Sequence, residues 1–131
     1  MNLLQLRYRR AWIGSIWLLV LVIVVASLAP ARSVSAIGHL DKLGHFAAYF
    51  TLTLLGAGIV ARAAVPRVIV WVILLGLAME AAQALFTDTR TADWADALAN
   101  TTGVLTAWWL VRERAGWALA VEAWLAGLRR H

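Results

Sequence analysis

The sequence predicts an all-α integral membrane protein, an antiparallel four-helix bundle followed by a C-terminal amphipathic interfacial helix. Three observations predict it. The chain has 131 residues, 63% of them hydrophobic, and a mean hydropathy of +0.76, where a soluble domain is apolar over about half its residues. The apolar residues gather into four runs, each close to the ~20 residues a helix needs to cross hydrocarbon. Arginines flank those runs and the connections are short, which suits antiparallel neighbours. The chain reads as a single domain, 1–131, with no room for a separate soluble one.

The first span covers about 11–29. Arg7, Arg9 and Arg10 precede it and Pro30 ends it. Ser33-Val34-Ser35-Ala36 resembles a small-residue cleavage site, but the apolar run is longer than the ~7–15 residues of a signal-peptide core. The second span covers about 43–61 and the third about 68–86. The fourth, about 94–111, is the least apolar. Its first half carries Asp96, Asn100, Thr101 and Thr102, so it survives in a bilayer only if protein covers that half. A last helix covers about 115–128. Trp117, Val121, Trp124, Leu125 and Leu128 make one apolar stripe. The segment is short for a span and suits the interface.

Charge orients the bundle. The bases near the N-terminus, in the second loop and in the tail number nine of the 12; only Arg32, Lys42 and Arg90 fall on the other side. An excess of Lys and Arg marks the cytoplasmic side, so both termini are expected there. The net charge of +5 with a pI near 11.1 does not point to nucleic acid, because the bases flank apolar spans and form no basic helix. Trp12, Trp71, Trp94, Trp108 and Trp109 lie near span ends and are expected as lipid anchors. Without cysteine there is no disulfide framework and no thiolate metal site.

Acids follow the opposite pattern. Asp41, Glu80, Asp88, Asp93 and Asp96, five of the seven, lie at or below the outer surface. On a rise of about 1.5 Å per residue, His45 sits ~6 Å beyond Asp41 and Asn100 ~10 Å beyond Asp93. Three helices therefore place polar groups in one layer. Asp41, His45 and Tyr49 share one helix face; so do Glu80, Gln83 and Ala84 with Gly76, and Asp93, Asp96, Asn100 and Gly103. Small residues on these faces (Gly76, Ala84, Ala97, Gly103) allow close helix approach. The expectation is that the faces turn toward one another around an outward-open polar cavity.

Ionisable groups inside a membrane are expensive and read by default as functional. Five acids oppose Lys42 and Arg90, and like charges this close cannot all stay ionised unpaired. Either a carboxyl holds a proton or a cation is bound. One histidine among several carboxylates suits Mg²⁺, Mn²⁺ or Ca²⁺ better than structural zinc. His45 is a candidate general acid–base oriented by Asp41, or a helix-to-helix hydrogen bond. Glu80 is a base holding its proton or a tie with Gln83. Asp93 and Asp96 are candidate reacting or metal-binding groups. Lys42 and Arg90 suit a phosphate or carboxylate of a ligand, or salt bridges to Asp93 and Asp96. Asn100 suits a bundle hydrogen bond, and Tyr49 a ligand contact or simple packing. Ser33 and Ser35 have no base at a fixed spacing, so a serine nucleophile has little support.

At these residues the chain resembles the VanZ-like family. The matches are DKLGHFAAYF from Asp41 to Phe50, Glu80-Ala-Ala-Gln83, and RTADWADALANTTG from Arg90 to Gly103, in the family's order and on the same helices. The resemblance implies a small polytopic bacterial membrane protein. Its founding member is associated with low-level resistance to the glycopeptide teicoplanin; no reaction can be carried over. Three functions are open. One is binding or modifying a cell-envelope amphiphile, a lipid-linked glycan or phospholipid headgroup, linked to antibiotic tolerance. The second is a non-catalytic protein whose polar layer is structural or a partner interface. Ion or proton transport ranks last, because the inner halves of the spans are nearly all apolar.

Overall fold

In a computed structural model, residues 3–29, 38–87 and 93–128 are described. They form five α-helices: α1 (Arg9–Leu28), α2 (Gly38–Gly58), α3 (Val65–Phe86), α4 (Trp94–Val111) and α5 (Ala118–Leu128). A 3-10 turn, Arg62–Ala64, leads into α3. No β-strand occurs among the described residues. Leu3 and Val60 make a lone antiparallel bridge, and the Leu4 amide donates to the Ile59 carbonyl at 3.0 Å.

Local chemistry explains the boundaries. α2 starts five residues earlier than its apolar run, so Asp41 and Lys42 belong to its first turns. It stops at Gly58, where the chain turns extended to pair with Leu3 and Leu4. Pro66 sits in the first turn of α3, where its missing N–H has no intrahelical partner to lose. α4 is capped by Asp93, whose carboxylate accepts the Ala95 amide at 2.8 Å. α5 begins at Ala118 rather than near 115, because Gly116 takes a φ of +79° and donates its amide to the Ala57 carbonyl at 2.9 Å.

α4 packs most extensively on α2, and α3 covers both. Their buried stripes repeat at helical spacing: Val65, Val68, Val72, Gly76, Glu80 and Gln83 on α3, and Asp96, Asn100, Gly103, Val104, Ala107 and Val111 on α4. Ala84, expected on the packed face of α3, is exposed beyond its stripe. α1 lies at the edge with Trp17, Leu18, Leu21, Val22 and Val25 exposed. α1 and α3 are long and apolar enough to cross a membrane. α2 and α4 carry most of the polar layer, and Asp96 and Asn100 of α4 are buried.

The two ends differ in charge. The start of α1, the α2–α3 connection and the α4–α5 loop share one end. Arg7, Arg9, Arg10, Arg62, Arg67, Arg112 and Arg114 belong to it, and Arg62 pairs with Glu113 at 3.0 Å. The opposite end gathers the acids. Trp12 departs from the lipid-anchor expectation, and Trp117 from the apolar stripe of the last helix. Trp12 and Trp117 pack edge-to-face, 5.5 Å between centroids, inside the arginine end. Trp117 covers Gly58 and donates to the Leu54 carbonyl at 3.1 Å. Trp71, Trp94 and Trp109 are exposed.

Gly116 predicts a measurable cost. A side chain there strains the positive φ, and its Cβ would lie 2.9 Å from Leu4 Cδ1. Gly116→Ala is expected to lose about 1–2 kcal/mol, read as a lower melting temperature in detergent. An unchanged melting temperature would count against this turn.

Candidate functional site

The polar layer assembles from α2, α3 and α4 because each sequence spacing matches one helix face. Asp41, Lys42, His45 and Tyr49 come from the first three turns of α2. Asp93, Asp96 and Asn100 come from the cap and first turns of α4, and Glu80 from the far end of α3.

Lys42 is the hub on the α2 side. Its Nζ donates to Asp93 Oδ2 at 2.8 Å and to Asp96 Oδ1 at 2.9 Å. This is the salt-bridge alternative for Lys42, realised twice. The Lys42 ammonium, helped by the Ala95 amide, holds the Asp93 carboxyl below the usual range. His45 Nδ1 lies 3.1 Å from Asn100 Oδ1. An amide oxygen only accepts, so this contact makes Nδ1–H the donor and leaves Nε2 on the other edge of the ring. Nε2 faces Asp96 Oδ2 at 3.7 Å, too long for a hydrogen bond. Asp41, His45 and Asp96 each offer one ligand atom, all within 4.8 Å of one another.

Glu80 is 7% exposed. Its Oε2 accepts the Asp93 amide at 3.3 Å, and its Oε1 has no hydrogen-bond partner. It lies within electrostatic range of Asp96, His45 and Asp93. Tyr49 OH and Asn100 Nδ2 are likewise buried without partners. Gln83 stands apart from the cluster and donates to the Ser27 carbonyl at 3.0 Å, tying α3 to the end of α1. Glu80 and Gln83 are thus neighbours in sequence with separate tasks. Arg90 lies outside the described residues, as do Asp88, Ser33 and Ser35.

Beside the cluster a cleft of about 260 Å³ opens between α1 and α2. Leu19, Val22, Ile23 and Ala26 form its α1 wall. Asp41, His45 and Tyr49 stand on the α2 wall, with Ser27 at the end of α1. One wall is therefore oily and the other carries acid, imidazole and phenol.

Another buried carboxylate, at the arginine end, escaped the sequence reading. Glu122 of α5 is buried and accepts from the Arg7 amide at 2.7 Å, the Tyr8 amide at 2.9 Å and Trp12 Nε1 at 2.9 Å. α1 has no acid in its first turn and no side-chain cap of its own, so Glu122 supplies the negative charge its positive end favours. α5 thus turns Ala118 and Glu122 to the protein, while Trp124 and Leu128 of its apolar stripe stay exposed. The available signal was a single acid inside an apolar helix.

No curated protein and no solved structure matches the chain. The family model for VanZ/LLP1 matches residues 3–119, which take in every residue of the polar layer. With that match spanning most of its length, the chain belongs to the VanZ/LLP1 family.

Proposed function

We propose that this VanZ-like protein lies in the bacterial inner membrane, termini in the cytoplasm, and holds the headgroup of a cell-envelope amphiphile at its polar layer. The single observation that carries this reading is the two-faced cleft between α1 and α2. Ligand sites of drug size start near ~300 Å³, so this one suits a headgroup with its first methylenes and leaves the remaining chain in lipid. The exposed apolar surfaces of α1 and α3 support the membrane setting, since soluble monomers rarely leave such patches uncovered. Carboxylates at Asp41 and Asp96 suit the hydroxyls of a lipid-linked glycan, and His45 stands where a proton would be exchanged with them. Tolerance to glycopeptide antibiotics would follow indirectly, from altered envelope lipids.

The test is the lipid that co-purifies with the full chain, measured by mass spectrometry. One headgroup class is expected to be enriched over the bulk membrane. Ala26→Trp, which fills the cleft from an exposed position on α1, and His45→Ala should each remove that enrichment. Co-purified lipid of bulk composition, unaffected by Ala26→Trp, would end the reading. Lys42, bridging Asp93 and Asp96 across α2 and α4, favours a second reading in which the layer mainly ties the bundle. Asp96→Asn would then lower the melting temperature and leave the lipids unchanged.

A further inference from the structure

We propose that Asp41, His45 and Asp96 bind one divalent cation of the Mn²⁺ or Mg²⁺ class, with open coordination positions toward the cleft. A role for that ion in headgroup binding rests on the amphiphile reading; the ion site itself does not.

Geometry comes first. Metal–ligand bonds of about 2.1 Å set donor atoms roughly 3–4 Å apart. The three ligand atoms lie within 4.8 Å of one another, and His45 Nε2 is already 3.7 Å from Asp96 Oδ2. Side-chain rotations that move the ligand atoms by about 1 Å close the set. Two of the three ligands are also held from behind. The Asn100 carbonyl on Nδ1 turns the Nε2 lone pair toward Asp96, the arrangement that orients a metal-bound imidazole. Lys42 takes Asp96 Oδ1 and leaves Oδ2 for the ion. Asp41 and His45 line the cleft, so a ligand entering there meets the ion.

Charge points the same way. Among the described residues the Lys42 ammonium is shared by Asp93 and Asp96, and the Glu80 carboxyl lies within electrostatic range of both. His45 Nε2 and Asp96 Oδ2 stand 3.7 Å apart, too far to bond each other directly and close enough to share an ion. Next to them the buried Glu80 keeps one oxygen unpartnered, which its own proton or the bound water of a cation would satisfy. Donor chemistry selects the ion. One imidazole and two carboxylates, without thiolate, suit Mn²⁺ or Mg²⁺ over structural zinc, and three ligands fall short of a calcium cage. The ion would also let an anionic phosphate approach a site that Lys42, spent on two carboxylates, no longer attracts.

The probe is Mn²⁺ alone, added to the purified full chain in detergent and followed by electron paramagnetic resonance. The free-ion signal should fall as Mn²⁺ binds, with saturation below about 1 mM, the weak end of divalent sites. Spin-echo modulation should show coupling to one imidazole nitrogen. His45→Gln should erase that coupling. Asp41→Asn, at a half-buried position, should weaken binding by about tenfold or more. Glu113→Gln, at the arginine end, should leave it unchanged. No loss of free Mn²⁺ signal, or binding without nitrogen coupling that both site variants retain, overturns the proposal. Because one readout follows the ion and the other the co-purified lipid, a protein that binds Mn²⁺ but enriches no lipid, or the reverse, separates this proposal from the amphiphile reading.

Discussion

Gly103→Ala is expected to destabilise the bundle by about 1–3 kcal/mol or more, the range for overpacking a filled core. A Cβ at residue 103 of α4 would collide with the Phe46 carbonyl of α2 and lie 3.1 Å from the Phe50 amide. Both obstacles are backbone, so no rotamer relieves them. α2 and α4 must move apart, and the bridges from Lys42 and His45 to Asp96 and Asn100, one to two turns above, lengthen with them. The fall should therefore appear in thermal unfolding in detergent and in weakened coupling between those pairs. Gly14→Ala on α1 is the comparison. Nothing lies within 4 Å of its added carbon, and alanine in an exposed helix is neutral or stabilising, by up to about 1 kcal/mol. Equal melting temperatures for Gly103→Ala and wild type would show that the helices do not approach as closely as described.

Glu122→Gln is expected to lower the melting temperature at neutral pH, with a gap from wild type that closes on acidification. Burial opposes ionisation of Glu122, but the Tyr8 and Arg7 amides and the Trp12 ring N–H outweigh it, and the carboxyl is held below its usual 4.5. A folded pKa below the unfolded one means stability that is fully present above pH 4.5 and lost as pH falls through the folded value. Glutamine keeps one acceptor oxygen and no charge, so it mimics the protonated acid. The two proteins should converge at low pH because both then lack the anion. Glu122→Ala removes the acceptor as well and should stay below wild type throughout. A gap between wild type and Glu122→Gln that is constant with pH would show that charge plays no part in this clamp.

Much of the site was legible because helical periodicity is a local property. Asp41, His45 and Tyr49 lie four apart, Asp96, Asn100 and Gly103 follow the same face, and any helix through them must align them. The salt bridges of Lys42 to Asp93 and Asp96 and the bond of His45 to Asn100 were each among the alternatives that residue chemistry left open. Gln83 was not legible in this way. It sits on the buried stripe beside Glu80, but its partner is a backbone carbonyl of α1, and no side-chain pattern marks a carbonyl. Trp12 and Trp117 failed for a related reason. A tryptophan near a helix end suits lipid or protein equally, and a glycine on a distant helix, Gly58, decided for protein.

The sequence by itself determined the helices, the oppositely charged ends and the family, since these depend on composition and on spacing within single segments. Only the tertiary structure decided which polar groups share a space. It brought His45, Asp41 and Asp96 within reach of one another, left Glu80 half-satisfied beside them, opened a cleft between α1 and α2, and carried Glu122 to the start of α1. The physical reason is range: an amphipathic stripe states that a face is covered but not by what, and each of these meetings joins residues many positions apart.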